Sequence, residues 1–405
     1  MRRAIAILVA AAIVVAGCTT AGAPILANPP AARPSIAAPT DRPVTRPPDP
    51  LPVILPRDDG PHDRLTEWWY YTGHLRASGR ISPEEDRRFG FEYVIFRAER
   101  GTFPTSWVSH LAITDEQSGH FFYSQRLEVG EGVDRSLRDG TGAPTGFDLR
   151  LRGIDPSDPA TFDRPVWQMT GANGSDHLGA VLSDVEATAA GLPDGAGLGL
   201  GLTLTSRKPA VLHDGDGWID FGAAGSSYYY SRTSMAADGV LTIGPTVFDV
   251  TGDAWFDHQW GDFISVGGGG WDWFAINLDD DTDLTLSLVR DADGSYPLIY
   301  GTLVRADGSV RHLDRTAFTV EVSGRWTSPT TGADYPAGWT IAIPDEDLTI
   351  ELTPTVADQE LDTRATTGVV YWEGSQRVEA TRFGEPLSGE GYVELTGYAA
   401  FDGPN

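Results

Sequence analysis

Apolar and polar positions alternate with a period of two in several short segments of this chain. Alternation of this kind is typical of β-strands with one buried face. Asp-Gly dipeptides at 238, 293 and 307 are the turn residues that favour hairpins between such strands. The chain is therefore predicted to be all-β, with many antiparallel strands closed into a sandwich or barrel. The clearest alternating runs are 198–204, 284–288, 318–322, 348–352 and 392–398.

The length of the β-rich region predicts two lobes. Residues 57–403 are too many for one small barrel and comfortable for two. The glycine run 267–270 is the best candidate for the junction, which gives an N-terminal lobe over 57–266 and a C-terminal lobe over 267–405. An open alternative is that this run is a long hairpin loop inside one lobe.

Two aromatic clusters stand out from the alternating background. The segment 67–75 reads Glu-Trp-Trp-Tyr-Tyr-Thr-Gly-His-Leu, and 255–262 reads Trp-Phe-Asp-His-Gln-Trp-Gly-Asp, followed by Trp271-Asp272-Trp273. A strand over 67–75 carries aromatic side chains on both faces, so both faces need to be covered. We expect one face to point into a barrel and the other to pack on the second lobe, with the two clusters buried together in one aromatic seam.

The N-terminus is predicted to be a processing signal. Arg2 and Arg3 precede an apolar run that ends in Val-Ala-Gly-Cys, with Cys18 as the single cysteine. We expect residues 1–17 to be a lipoprotein signal peptide, Cys18 to be lipidated, and the Pro- and Ala-rich residues 18–56 to be a disordered linker. The expected location is the cell envelope, extracytoplasmic and membrane-anchored by the lipid. The alternative is an ordinary signal peptide with an incidental cysteine.

Charge and motif content exclude several function classes. The formal net charge of −27 argues against nucleic-acid binding. The chain contains no His-Glu-x-x-His, Cys-x-x-Cys, Gly-x-Ser-x-Gly or phosphate-loop motif. His62, His74, His110 and His258 lie in aromatic or acidic surroundings, but their spacing matches no metal motif. Neither a metal nor another cofactor is expected.

Carboxylates beside tryptophans are the candidate chemical groups. Asp257, His258 and Asp272 are flanked by tryptophans, which would partly desolvate them. Desolvation raises the pKa of a carboxyl group, as a general acid requires. The alternative is structural, because an Asp beside an aromatic residue often caps a turn or accepts a Trp N–H.

Eight segments together resemble one known family. They run in family order through nearly the whole region after the linker, and the chain is similar to the AttH and hydroxyneurosporene synthase (carotenoid 1,2-hydratase) family. The resemblance implies two lipocalin-like antiparallel β-barrels packed side by side, with an apolar ligand in or between them. The family includes carotenoid and phenolic hydratases, polyene cyclases and many uncharacterised lipoproteins. The segments are 67–75, 109–115, 228–231, 251–261, 270–275, 335–339, 371–374 and 391–398.

The function expected from these observations is binding of an apolar or amphipathic small molecule, with hydration or cyclisation of an alkene ligand left open. In a hydratase, Asp257 or Asp272 would protonate the alkene, and His258 or Glu67 would orient or deprotonate water. Glu67 is the expected partner of Asp257 across the seam. The alternatives are a carrier lipoprotein that serves an ABC-type export system and a surface interaction module. The expected ligand-lining residues are Trp69, Tyr71, His110, Trp255, Trp260, Trp271, Trp273 and Tyr371.

Overall fold

The computed structural model describes residues 48–77, 86–263 and 268–400. The predicted signal peptide, Cys18 and the linker as far as residue 47 lie outside the described residues, as does Gly267. No helix in the described part of the chain is long and apolar enough to cross a bilayer. The described chain is almost entirely β-structure, as the alternating pattern predicts.

The first lobe is one strongly curled antiparallel sheet. Within the described residues twelve strands join it, in the order β4-β3-β2-β1-β12-β11-β8-β7-β6-β5, with β9 and β10 added beside β11. The end strands β4 and β5 approach each other, so that the sheet nearly closes into a barrel. Its strands are β1 Thr66–Ala77, β2 Arg88–Ala98, β3 Ser106–Asp115, β4 His120–Val129, β5 Phe147–Leu151, β6 Trp167–Ala172, β7 Ser175–Val181, β8 Gly197–Ser206, β9 Val211–Leu212, β10 Trp218–Asp220, β11 Ser226–Gly244 and β12 Thr246–Gly261.

The second lobe repeats this design with a smaller curled sheet. Ten strands of the described chain form it, in the order β16-β15-β14-β13-β24-β23-β21-β20-β17, with β22 beside β23, while β18 and β19 make a separate hairpin. The strands are β13 Gly268–Leu278, β14 Asp283–Asp291, β15 Leu298–Val304, β16 Val310–Asp314, β17 Thr319–Val322, β18 Arg325–Thr327, β19 Asp334–Pro336, β20 Trp339–Ile343, β21 Leu348–Pro354, β22 Glu360–Asp362, β23 Val370–Arg382 and β24 Glu385–Thr396. Two barrel-like halves of antiparallel sheet confirm the predicted fold.

The alternating leucines show why these segments form strands. Leu198, Leu200, Leu202 and Leu204 all point into the first lobe, where each is at most 3% exposed. Burial of each such side chain is worth about 1.5–3 kcal/mol. A short α-helix, α1 (Asp184–Ala189), precedes this strand.

The segment before β1 lies across one end of the first lobe. We call residues 48–56 the strap. The backbone N–H of Leu51 donates to the Tyr228 hydroxyl over 2.6 Å, and Val53 packs against the core of the lobe. The next turn carries Asp59 into the interior, where the carboxylate accepts from Arg232 Nη2 at 2.9 Å. The strap, which falls within the predicted linker 18–56, is thus held by a hydrogen bond and apolar contacts.

The two lobes meet through an aromatic seam. Tyr70, Val94 and Trp255 of the first lobe pack in one cluster with Trp273 and Tyr392 of the second. Polar contacts border this cluster: Tyr70 Oη donates to Glu373 Oε1 over 2.8 Å, and Lys208 Nζ lies 2.8 Å from Asp283 Oδ2. The predicted meeting of two distant aromatic segments in one buried seam is confirmed.

Candidate functional site

Strand β1 presents different chemistry on its two faces. Its register with β12 places Trp69 opposite His258 and Tyr70 opposite Asp257. Trp69 and Tyr71 point into the core of the first lobe, whereas Tyr70 belongs to the seam. The expectation of a strand shared between a barrel interior and the second lobe is confirmed, and it separates the candidate residues into two groups.

On the inner face, Glu67 lies between two histidines. Its Oε1 accepts from His62 Nδ1 at 2.7 Å and from His258 Nε2 at 3.0 Å. The backbone N–H of His62 donates to Oε2 over 2.9 Å, which fixes the carboxylate. The side chains of Glu67 and His258 are fully buried, and that of His62 is 19% exposed. We call His62, Glu67 and His258 the mouth cluster, because they lie beneath the strap at the open end of the lobe.

The two imidazoles of the mouth cluster have opposite protonation tendencies. Burial opposes charge on His62, but the carboxylates of Glu67 and Asp58 outweigh it and raise the pKa of His62. For His258 burial prevails over Glu67, so its pKa is lowered. Burial would raise the pKa of Glu67, yet the attraction of His62 and the hydrogen bond from His258 lower it to about 2. The arrangement is a buried carboxylate between one imidazole that favours its cationic form and one that favours its neutral form.

Aromatic rings enclose the mouth cluster and leave one opening. The rings of His62 and Trp260 stack with centroids 4.1 Å apart, and His258 lies 4.7 Å from both Trp69 and Trp260. Beside His62 is a cavity of about 80 Å³. It is small compared with the roughly 300–1,000 Å³ of typical ligand pockets, and the strap contributes part of its lining. Among the residues that line it are Leu51, Val53, Asp58, His62, Tyr228 and Trp260.

Asp257 lies on the opposite face from this cluster. Its carboxylate accepts hydrogen bonds from the Tyr229 hydroxyl at 2.5 Å, from Trp255 Nε1 at 2.7 Å and from the Ser231 hydroxyl. Burial raises the pKa of Asp257 to about 6, although the three donors oppose this. The expected partnership of Asp257 with Glu67 is wrong, because β12 alternates and sends Asp257 to the seam and His258 to the interior.

Asp272 lies in the second lobe and is ion-paired. Arg290 Nη1 donates to it over 2.9 Å, and the Tyr398 hydroxyl lies 3.0 Å from both carboxylate oxygens. Burial raises the pKa of Asp272 to about 6, while Arg290 opposes that rise. The guanidinium of Arg290 is 4.0 Å from the Tyr398 ring centroid. Asp272 is thus held in a local network that does not include the mouth cluster.

The expected ligand-lining residues divide between the same two regions. Trp69 and Trp260 contact the mouth cluster, and Tyr71 lies deeper in the same core. The others belong to the surroundings of the seam, where His110 Nδ1 is 2.8 Å from the Tyr371 hydroxyl and Trp271 Nε1 donates to Glu394 over 3.1 Å. The remaining seam residues are Trp255 and Trp273.

Sequence reasoning noted His62 among the histidines but did not include it in the candidate site, and it missed three glutamates near the seam. Burial is the main reason why the pKa values of Glu92 and Glu373 are raised well above the usual range. Burial likewise raises the pKa of Glu394 to about 7. An acidic residue in the middle of an apolar strand was the available signal, as in Phe91-Glu92-Tyr93. For His62, the signal was its position five residues before Glu67, in the turn that leads into β1.

The sequence pattern of the AttH-like family matches residues 45–398, which is most of the chain. The chain belongs to the AttH-like family. A solved structure of a putative AttH protein from Nitrosomonas europaea is 29% identical, with a TM-score of 0.68 over 86% of this chain and 98% of that one. Kievitone hydratase from Nectria haematococca shares the fold, with 16% identity and a TM-score of 0.59 over 87% of this chain and 94% of its own.

A curated relative from a fungus is similar at the sequence level. The dehydratase asqC of Emericella nidulans is 21% identical over 269 residues, which cover 64% of this chain and 76% of that protein. One of these two relatives is thus named for adding water and the other for removing it. These names describe the relatives, and the resemblance stated from the sequence motifs is confirmed at the level of family and fold.

Proposed function

We propose that this protein is a hydro-lyase that adds water to, or removes water from, an unsaturated apolar or amphipathic small molecule at the mouth cluster. The observation that carries the proposal is a buried carboxylate and two imidazoles beside a cavity with aromatic walls. The names of kievitone hydratase and the dehydratase asqC support the reaction class.

In this proposal the three members of the mouth cluster have different roles. His62 is the member that reaches the cavity, so it is the group that exchanges a proton with the substrate. Glu67 holds both imidazoles through its Oε1 atom, and His258 lies behind it in the barrel. In the hydration direction one carbon of the double bond gains a proton and the other gains hydroxide, so that one water is consumed. Trp260 offers an aromatic face to positive charge that develops on the second carbon.

The reaction can be tested while the substrate is still unidentified. The purified full chain is incubated with an organic extract of the source cells in ¹⁸O-labelled water, and mass spectrometry searches for products that gain one labelled water. Glu67→Gln keeps the shape of the side chain but removes its charge, and should reduce incorporation by roughly 10²–10⁴-fold. His177→Ala, at an exposed histidine of the same lobe, is the matched control and should retain full incorporation.

The result also separates the enzyme from a carrier. A small molecule that co-purifies with the protein but never gains or loses water, in the wild type as in Glu67→Gln, would contradict the hydro-lyase and favour the carrier. Incorporation that is equal in the wild type and Glu67→Gln would place the chemistry away from the mouth cluster.

We further propose that the protein acts at a membrane surface, anchored by lipid on Cys18. The sequence order of basic start, apolar run and cysteine supports this. Residues 19–47 separate Cys18 from the strap, so the anchor would hold the mouth of the first lobe within a short tether of the bilayer in which an apolar substrate dissolves.

A further inference from the structure

The mouth cluster also has the composition and geometry of a metal site. One candidate ligand atom from each of His62, Glu67 and His258 lies within 4.8 Å of the other two. His62 comes from the turn before β1, whereas Glu67 on β1 and His258 on β12 are held in register by the ladder between these two strands. Two imidazole nitrogens and a carboxylate oxygen are donors that Zn²⁺ and its neighbours in the first transition row accept, whereas Ca²⁺ and Mg²⁺ prefer oxygen alone.

The outer nitrogens of the two imidazoles suit this role. His62 turns Nδ1 towards Glu67, and its Nε2 lies 3.5 Å from the Asp58 carboxylate. A carboxylate at the outer nitrogen holds the proton there and leaves the inner nitrogen free to bind metal. His258 Nδ1 is buried without a hydrogen-bond partner, so it can take the proton that Nε2 gives up when Nε2 binds a cation.

Charge and access favour a cation as well. Glu67 carries its negative charge in a fully buried position, and the carboxylate of Asp58, which is already paired with Arg57, lies by the same imidazole of His62. The cluster offers three protein ligands, and of these only His62 lines the neighbouring cavity. Three protein ligands with a fourth position left to water is the arrangement of catalytic rather than structural zinc sites.

We propose that His62, Glu67 and His258 bind one divalent transition-metal ion of the Zn²⁺ class, with an open coordination position towards the cavity. The catalytic role of this ion rests on the proposed function. A metal-bound water at the open position would exchange protons with the substrate in place of His62. Binding of the ion releases the proton that His62 Nδ1 donates to Glu67.

Metal binding is tested directly and without substrate. The purified full chain is stripped with a chelator and titrated with Co²⁺ and then Zn²⁺ at high salt with excess Mg²⁺, which saturates the many surface carboxylates. We expect one Co²⁺ per chain, visible as d–d absorption, which one equivalent of Zn²⁺ displaces. Calorimetry in two buffers of different protonation enthalpy should show proton release.

Matched variants locate the ion. His258→Gln and Glu67→Gln should each weaken Zn²⁺ binding by roughly 10–100-fold or more. His177→Ala and His213→Gln, an exposed and a buried histidine outside the cluster, should bind as the wild type does. Circular dichroism checks that every variant is folded.

Two outcomes would overturn the metal site. They are the absence of stoichiometric binding at high salt, and binding that survives unchanged in folded His258→Gln. Either outcome leaves the labelled-water experiment unaffected, because that assay runs on the protein as purified. Conversely, stoichiometric Zn²⁺ binding in a protein whose small molecules neither gain nor lose water would support the metal site and contradict the hydro-lyase.

Discussion

Asp176 is a buried acid whose removal should stabilise the protein at neutral pH. It lies on β7 inside the first lobe, is 1% exposed, and its Oδ2 accepts from the Tyr71 hydroxyl at 3.0 Å. Burial raises its pKa from 3.8 to about 7, against the opposing attraction of Arg232 and the hydrogen bond from Tyr71. Arg232, which also pairs with Asp59 at 2.9 Å, is the largest of the opposing causes but does not offset burial.

The sign of the effect follows from proton counting. Between pH 4 and 7 the folded state keeps a proton on Asp176 that the unfolded state has lost, so stability falls as the pH rises through this range. The cost is complete above pH 7 and amounts to about 4 kcal/mol, from roughly 1.4 kcal/mol per unit of pKa shift. Asp176→Asn keeps an acceptor for Tyr71 and cannot ionise. It should match the wild type near pH 4 and exceed it by up to about 4 kcal/mol at pH 8.

Urea unfolding followed by tryptophan fluorescence at several pH values measures this difference. All other titrating groups are common to both proteins, so they cancel in the comparison. Asp194→Asn, at an exposed loop position of the same lobe, is the control and should track the wild type at every pH. Stability curves of the wild type and Asp176→Asn that stay parallel from pH 4 to pH 8 would refute the reasoning.

Three further predictions test other parts of the structure. Cys18→Ser should move the protein from the membrane to the soluble fraction on cell fractionation; retention in the membrane would refute lipidation of Cys18. Arg126→Met should destabilise the lobe by about 3–5 kcal/mol in urea unfolding, because Glu186, bonded to Arg126 at two distances of 2.8 Å, would stay buried without its cation. Glu186→Gln in the same chain should recover part of that loss. Asp257→Asn should lower stability by about 1–3 kcal/mol, since one of its three donors loses its acceptor, while labelled-water incorporation is unchanged. A folded Asp257→Asn protein without incorporation would instead place Asp257 in the chemistry.

Local alternation predicted some features of the site correctly. The segment 67–75 is aromatic on both faces, so a strand there needs other parts of the protein to cover each face. In the structure it lies between the core of the first lobe and the seam. The same period of two places Asp257 and His258 on opposite faces of β12, independently of any tertiary contact.

The assembly of the site depends on which strands pair and in which register, and the alternation of apolar and polar residues does not predict this. His258 meets Glu67 across 191 positions of sequence, through the register of β1 with β12. His62 lies in a turn outside any strand, where side-chain direction has no simple period. Glu92 and Glu373 look like the polar face of ordinary strands, and only the packing of the second lobe on the first makes them buried.

Strand β1 contributes one face to the core of the first lobe and its other face to the seam, so the two lobes depend on each other. If the second lobe were removed, Tyr70, Val94 and Trp255 would be exposed together as an apolar patch, and adhesive surfaces of that kind promote aggregation. A gene fragment that ends at residue 263 should therefore yield insoluble protein, although its sheet is complete. We therefore expect the two lobes to fold and to be expressed as one unit, unlike domains joined by a free linker.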